Sequence, residues 1–196
     1  MHIVITGHTK GLGQSLLKHF ESMGHTVQGF SYSTGFDINV AEHREKIIEA
    51  AETADIFVNN AWGEDHADLD NIKDGQTVLL QKMIERWKGN KNKKLLNISS
   101  KACFNHKEHS VLMKKYGEIK RTQNEMINDR IWQYGPHILN VILGCTDTAL
   151  SVPFIGSKID PDVVSKWIVD MLLCETMYFQ SVTIDATELN YQRKTT

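Results

Sequence analysis

Three cysteines are all this chain has, and Cys103, Cys145 and Cys174 stand far apart. Their number is odd and their spacing matches no zinc site, so neither a disulfide framework nor a bound metal is expected. A reducing, cytoplasmic setting follows. No apolar run approaches the roughly 20 residues that span a bilayer. Met1 leads straight into a strand pattern, without the charged start and apolar stretch of a secretory leader. Charge of one sign is lacking as well. The 22 basic and 24 acidic residues leave a net charge of -2, which argues against a nucleic-acid partner or an anionic membrane surface. The one basic cluster, Lys88 to Lys94, is interrupted by Gly89, Asn90 and Asn92 and reads as a solvated helix end and loop. Internal repeats, low-complexity tracts and linkers are also missing.

What is present is an alternation. With 196 residues, 41% hydrophobic and 23% charged, the chain suits one globular domain, 1–196, around one core. Strand patterns fall at 2–6, 26–31, 55–59, 94–98, 138–143 and 178–184. Helical spacing joins Leu12, Leu16, Phe20 and Met23, with Gly24 as a stop, and recurs over about 41–53. It also joins Leu79, Leu80, Met83, Ile84 and Trp87, and later Ile119, Met126, Ile127, Ile131 and Trp132. A last helix begins at Asp160-Pro161, with proline at its first turn, and buries Val164, Ile168 and Leu172. Strands alternating with helices predict an α/β fold. The expected architecture is a Rossmann-type, doubly wound parallel sheet of about six or seven strands with helices on both faces. Between the second strand and Phe36-Asp37-Ile38 lie only Tyr32 to Gly35. A parallel crossover needs about a dozen residues, so the third strand is expected to be short or absent.

Two stretches carry chemistry. The first is Thr6-Gly7-His8-Thr9-Lys10-Gly11-Leu12-Gly13, between the first strand and the first helix. Glycines there permit a tight turn, and the helix N-terminus favours a pyrophosphate. This is not the spacing of a nucleotide-triphosphate loop, because Lys10 precedes the second glycine. The second strand ends Phe30-Ser31-Tyr32-Ser33, with no acid until Asp37. That absence, with Lys10 nearby, favours a ribose 2′-phosphate and hence NADP(H) over NAD(H). Lys10 as a plain surface charge is the alternative. The second stretch is Tyr116-Gly-Glu-Ile-Lys120, following the strand end Ser99-Ser100. Spacing i,i+4 puts Tyr116 and Lys120 on one helical face. An ammonium beside a phenol is expected to lower a pKa otherwise near 10, and a serine hydroxyl can hold a substrate oxygen.

These stretches resemble the short-chain dehydrogenase/reductase family, in its single-domain branch, over nearly the whole chain. Thr6-Gly7-x-x-x-Gly11-x-Gly13 is similar to the family's cofactor turn. Asp37-Ile38 resembles the pair that contacts adenine, and Asn59-Asn60-Ala61 the Asn-Asn-Ala-Gly motif, with Trp62 in place of glycine. Tyr116 and Lys120 match the family's Tyr-x-x-x-Lys pair. Leu143-Gly144-Cys145-Thr146-Asp147-Thr148 resembles the loop beside the nicotinamide, with Leu143 in place of proline. The resemblance implies Tyr116 as general acid in reduction, with Lys120 lowering its pKa and holding a ribose. Ser100 would orient the carbonyl, and Asn71, otherwise a helix cap, is the candidate fourth member. Cofactor contacts would come from Gly7, Thr9, Lys10, Gly11, Leu12, Gly13, Ser31, Asp37, Ile38, Asn60, Ala61, Tyr116, Lys120, Gly144, Thr146 and Thr148.

The implied activity is NADP(H)-dependent interconversion of a small carbonyl compound and its alcohol. The alternatives are a non-catalytic NADP(H)-binding sensor or interaction module, or an epimerase or dehydratase of the same fold. A homodimer or homotetramer is implied, formed through the Leu79–Trp87 or Met126–Trp132 stretches unless these simply pack on the sheet. Tyr116 follows Ser100 by 16 residues, longer than the family's usual spacing. That leaves Ser99, Ser100 and Ser110 open as the substrate-facing serine. His106 and His109 read as exposed loop residues, and a short segment between Thr148 and Asp160 implies a small or open site.

Overall fold

The computed structural model of the chain describes residues 1–62, 74–104, 111–130, 135–148, 151 and 157–186. Six strands form one parallel sheet: β1 (His2–Thr6), β2 (Thr26–Phe30), β3 (Ile56–Asn59), β4 (Lys94–Ser100), β5 (His137–Leu143) and β6 (Ser181–Ile184). Their order is β2-β1-β3-β4-β5-β6, and every pairing is parallel. Among the described residues five α-helices accompany them: α1 (Gly11–Ser22), α2 (Ala41–Glu52), α3 (Gly75–Arg86), α4 (Val111–Asn128) and α5 (Pro161–Leu173).

The central strands explain the layering. Ile3, Val4 and Ile5 of β1 are all fully buried, as are Ile56, Phe57 and Val58 of β3. A strand apolar on both faces needs cover on both. On one face, Leu12, Leu16 and Phe20 of α1 and Val164, Ile168 and Leu172 of α5 pack against Ile3, Ile5 and Val58. On the other, Ile47, Ile48 and Ala51 of α2 and Leu79, Leu80 and Met83 of α3 pack against Val4 and Phe57. The outer strands β2 and β6 instead alternate exposed and half-buried residues along most of their length. No helix among the described residues is long and apolar enough to cross a membrane.

Sheet order creates the place where a ligand can sit. From β1 the chain moves outward to β2, then returns to the other side of β1 to lay down β3. Loops leaving β1 and β3 therefore diverge, and a crevice opens between them at the C-terminal edge of the sheet.

Several expectations are refined. Phe36–Ile38 forms no strand; Ile38 is buried beneath α3, and the crossover runs on into α2. The last strand starts at Ser181 rather than at Tyr178. The Tyr178 hydroxyl bonds both the N–H and the carbonyl of Ile138, each at 3.1 Å, so a side chain satisfies the backbone groups that a longer strand would pair. The Leu79–Trp87 stripe is core: Leu79, Leu80 and Met83 are fully buried, and Ile84 and Trp87 are 3% exposed. It offers no surface for a second copy. Ile127 is buried and Met126 packs against the same core, while Ile131 and Trp132 lie outside the described residues.

Candidate functional site

The glycine turn closes as its spacing requires. Gly7 and Gly11 have positive φ, 71° and 56°, a region that favours glycine. A β-carbon on Gly13 would lie 2.0 Å from the carbonyl oxygen of Gly7, and one on Gly7 would lie 2.9 Å from the Ala61 backbone. Only bare backbone fits at these positions. The Lys10 side chain does not cap α1, and the first turn of α1 carries no acid. The helix N-terminus therefore presents its N–H groups and partial positive charge to the crevice. This is a fitting cradle for the pyrophosphate of a dinucleotide.

The loop after β3 fixes the turn from the other side. Asn60 Nδ2 donates to the carbonyls of Thr6 and Gly7 at 3.0 and 3.2 Å. The backbone N–H groups of Asn60 and Ala61 both donate to Thr6 Oγ1 at 3.0 Å. Thr148, after β5, comes to the same place, and its side chain sits against Gly11. Gly144 N–H donates to the Ile184 carbonyl, and Thr146 bridges to Ile159. Both are tied into the wall beside the crevice.

At the end of β2 three hydroxyls meet. Thr9 Oγ1 lies 3.2 Å from Ser31 Oγ and 2.9 Å from Ser33 Oγ, and the two serine oxygens are 2.9 Å apart. Such hydroxyls can all turn their protons outward to an anion. The expected adenine pair is less available. Asp37 accepts from Asn39 N–H at 2.8 Å, and Ile38 is a core residue whose carbonyl accepts from Arg44.

Beyond the turn, Tyr116 and Lys120 project from successive turns of α4 toward Trp62. The Trp62 and Tyr116 rings meet edge to face, with centroids 4.6 Å apart, and Lys120 Nζ lies 5.5 Å from each ring centre. Trp62 directly follows the Asn60-Ala61 pair that grips the glycine turn. One continuous surface thus runs from phosphate cradle to phenol.

The serine alternatives separate by strand alternation. Ser99 is buried and donates to Asn124 Oδ1 at 2.8 Å. Ser100 is half-buried, accepts from Ala102 N–H at 3.2 Å and stands beside the Tyr116 phenol, whose ionised form it favours. Ser100 therefore shares the site with the phenol, and Ser99 is engaged with α4. Ser110, His106, His109 and Asn71 lie outside the described residues.

Burial shifts both ionisable groups, in opposite directions. It pushes Tyr116 up to about 12, opposed by the Ser100 hydrogen bond. It pushes Lys120 down to about 7, opposed first by the negative charge of Asp74. Removing solvent disfavours whichever form is charged. The expected lowering of the phenol by its cationic neighbour is not what this arrangement gives. Lys120 Nζ donates instead to Gln76 Oε1 at 2.5 Å and to the Ile98 carbonyl at 2.9 Å. Gln76 was invisible as a site residue in the sequence.

Beneath the site runs a row of amides. Asn59, Asn97 and Asn140 are in register on β3, β4 and β5. Asn59 donates to Asn97, Asn97 to Asn140, and Asn140 to Asn124 of α4, each at 2.9 Å. Asn124 is one turn beyond Lys120, so this row ties α4 to the strand ends.

No protein-family model matches this sequence, and no curated protein does. Solved structures do share its fold. The 3-alpha-hydroxysteroid dehydrogenase of a Pseudomonas species, complexed with NADH, superposes with a TM-score of 0.77 at 15% identity, covering 100% of both chains. The 3-ketoacyl-(acyl-carrier-protein) reductase of Brucella melitensis, also with NADH, gives 0.73 at 18% identity, covering 94% of this chain and 96% of the other. A short-chain dehydrogenase of Burkholderia cenocepacia with NADP gives 0.74 at 16% identity, covering 97% and 90%. The fold is that of short-chain dehydrogenase/reductase structures.

Proposed function

We propose that the chain is a nicotinamide-dependent oxidoreductase of the short-chain dehydrogenase/reductase family, reducing a small carbonyl compound to its alcohol or running the reverse. The observation that carries this reading is the meeting of Ser100, Tyr116 and Lys120 at the sheet edge where the glycine turn opens. The nicotinamide supplies the hydride when bound. Gly7, Gly11 and Gly13 would hold its pyrophosphate, and Lys120 would face its ribose.

The residues of this chain handle the proton and the oxygen. Ser100 and Tyr116 hydroxyls both donate toward the substrate oxygen. Charge developing there on hydride arrival is met by preformed donors. Tyr116, protonated at neutral pH by its raised pKa, gives up its proton as the alcohol forms. Lys120, where charged, stabilises the phenolate that remains.

NADP(H) is the preferred dinucleotide in this reading. The Thr9, Ser31 and Ser33 hydroxyls offer donors at the end of β2 without an acid to repel a 2′-phosphate. Mixed with NADPH and a panel of small aldehydes and ketones, the protein should oxidise the nucleotide, and it should bind NADPH at least tenfold more tightly than NADH. Tighter binding of NADH would reject the phosphate site. No binding of either nucleotide would reject the whole reading.

A further inference from the structure

Gln76 stands on the first turn of α3, 1% exposed. Its amide cannot turn over without penalty. Nε2 donates to the Asn59 carbonyl at 3.1 Å and the Ile98 carbonyl at 3.4 Å, at the ends of β3 and β4. Oε1 accordingly points the other way, where it accepts from Lys120 Nζ at 2.5 Å and Gln123 Nε2 at 3.4 Å. Flipping would press an oxygen on two carbonyls and an NH2 on an ammonium. Gln123, itself fully buried, is held by Thr77 Oγ1 at 2.9 Å. The oxygen that receives Lys120 is thus fixed by two strands and two helices.

We propose that Gln76 is the positioning residue of Lys120: it aims the side chain along the crevice toward Tyr116 and favours its charged form over the neutral one. The role of Lys120 itself rests on the oxidoreductase reading above. A neutral acceptor suits the task. An amide oxygen favours the ammonium by hydrogen bonding, yet leaves its positive field intact for the phenolate, where a carboxylate would cancel it. The other titratable groups bearing on Lys120 are Asp74 at the start of α3, Cys103 in the turn after β4, and Tyr116 on α4 itself. Asp74 reaches it only as a charge, since its side chain accepts from Thr77 N–H as the helix cap.

The test is the titration of Lys120 followed by NMR at its Cε and Nζ, in the whole protein carrying Gln76→Met or Gln76→Glu. Gln76→Met removes an acceptor of the ammonium, so Lys120 should titrate about one pH unit lower than in the unaltered protein. Gln76→Glu adds a carboxylate and should move it about as far upward. The opposite signs, taken together, separate positioning from mere loss of packing. Gln76→Asn, too short to reach Nζ, should follow Gln76→Met and serves if the others do not fold. In turnover, the alkaline limb of kcat should move in the same order. Titrations of Lys120 that coincide in the altered and unaltered proteins would overturn the inference. Shifted titrations in a protein that transfers no hydride would keep Gln76 in its place and remove the oxidoreductase reading instead.

Discussion

Gly13 shows how little freedom single positions at this site have. Its missing side chain is what allows the Gly7 carbonyl to pass, since an added β-carbon would lie at 2.0 Å. Gly13→Ala should therefore push the turn open, weaken nucleotide binding by more than tenfold and cost about 1–3 kcal/mol of stability, the range for overpacking. Calorimetric titration with NADPH and urea unfolding would measure the two effects. Unchanged binding would mean that the turn does not hold the dinucleotide. Tyr116 and Lys120 are a second case. One is raised and the other lowered by the same loss of solvent. Near neutrality the pair holds a protonated phenol beside an amine close to its midpoint, so small changes in the surroundings of Lys120 alter its charge.

At the scale of elements, α4 is the part that joins chemistry to scaffold. Tyr116, Lys120 and Asn124 recur every four residues along it. The first two face the crevice, and the third ends the row of asparagines that begins on β3. Much of this was legible in the sequence. The glycine turn, the i,i+4 pair and the serine strand end are local patterns, and their order along the chain put them on one sheet edge. The clipped segment at Phe36–Ile38 followed from counting the residues available for a crossover. Other parts could not be read. Gln76 matters because two strand carbonyls orient its amide, and neither lies near it in sequence. Asn97 and Asn140 looked like ordinary strand residues; only the register of three strands lines them up. The depressed reading of Tyr116 failed for a related reason. Spacing places an ammonium near a phenol, but it does not say that the fold will take both away from solvent, which disfavours phenolate and ammonium alike.

For the whole molecule, buried Lys120 and half-buried Tyr116 make stability depend on pH. Lys120 titrates near 7 in the fold against an ordinary 10.5. Between those values the unfolded chain binds the proton that the native protein has released, so stability rises with pH. Tyr116, near 12 against 10.0, keeps its proton longer in the fold, so stability falls with pH above about 10. Lys120→Met should abolish the first effect. In urea unfolding, the stability of the unaltered protein relative to this variant should rise by about 2 kcal/mol from pH 7 to pH 9. A constant difference would show that Lys120 is not buried as described. The central claim is that folding assembles Ser100, Tyr116 and Lys120 around the reactive ring of a dinucleotide held at the switch point of the sheet. The direct measurement uses NADPH deuterated at C4 with a carbonyl panel, reading deuterium in the alcohol products by mass spectrometry. The unaltered protein should deliver the label, and Tyr116→Phe should bind NADPH as before but deliver it at least about a hundredfold more slowly. Equal delivery by both proteins, or none by the unaltered one, would contradict the account.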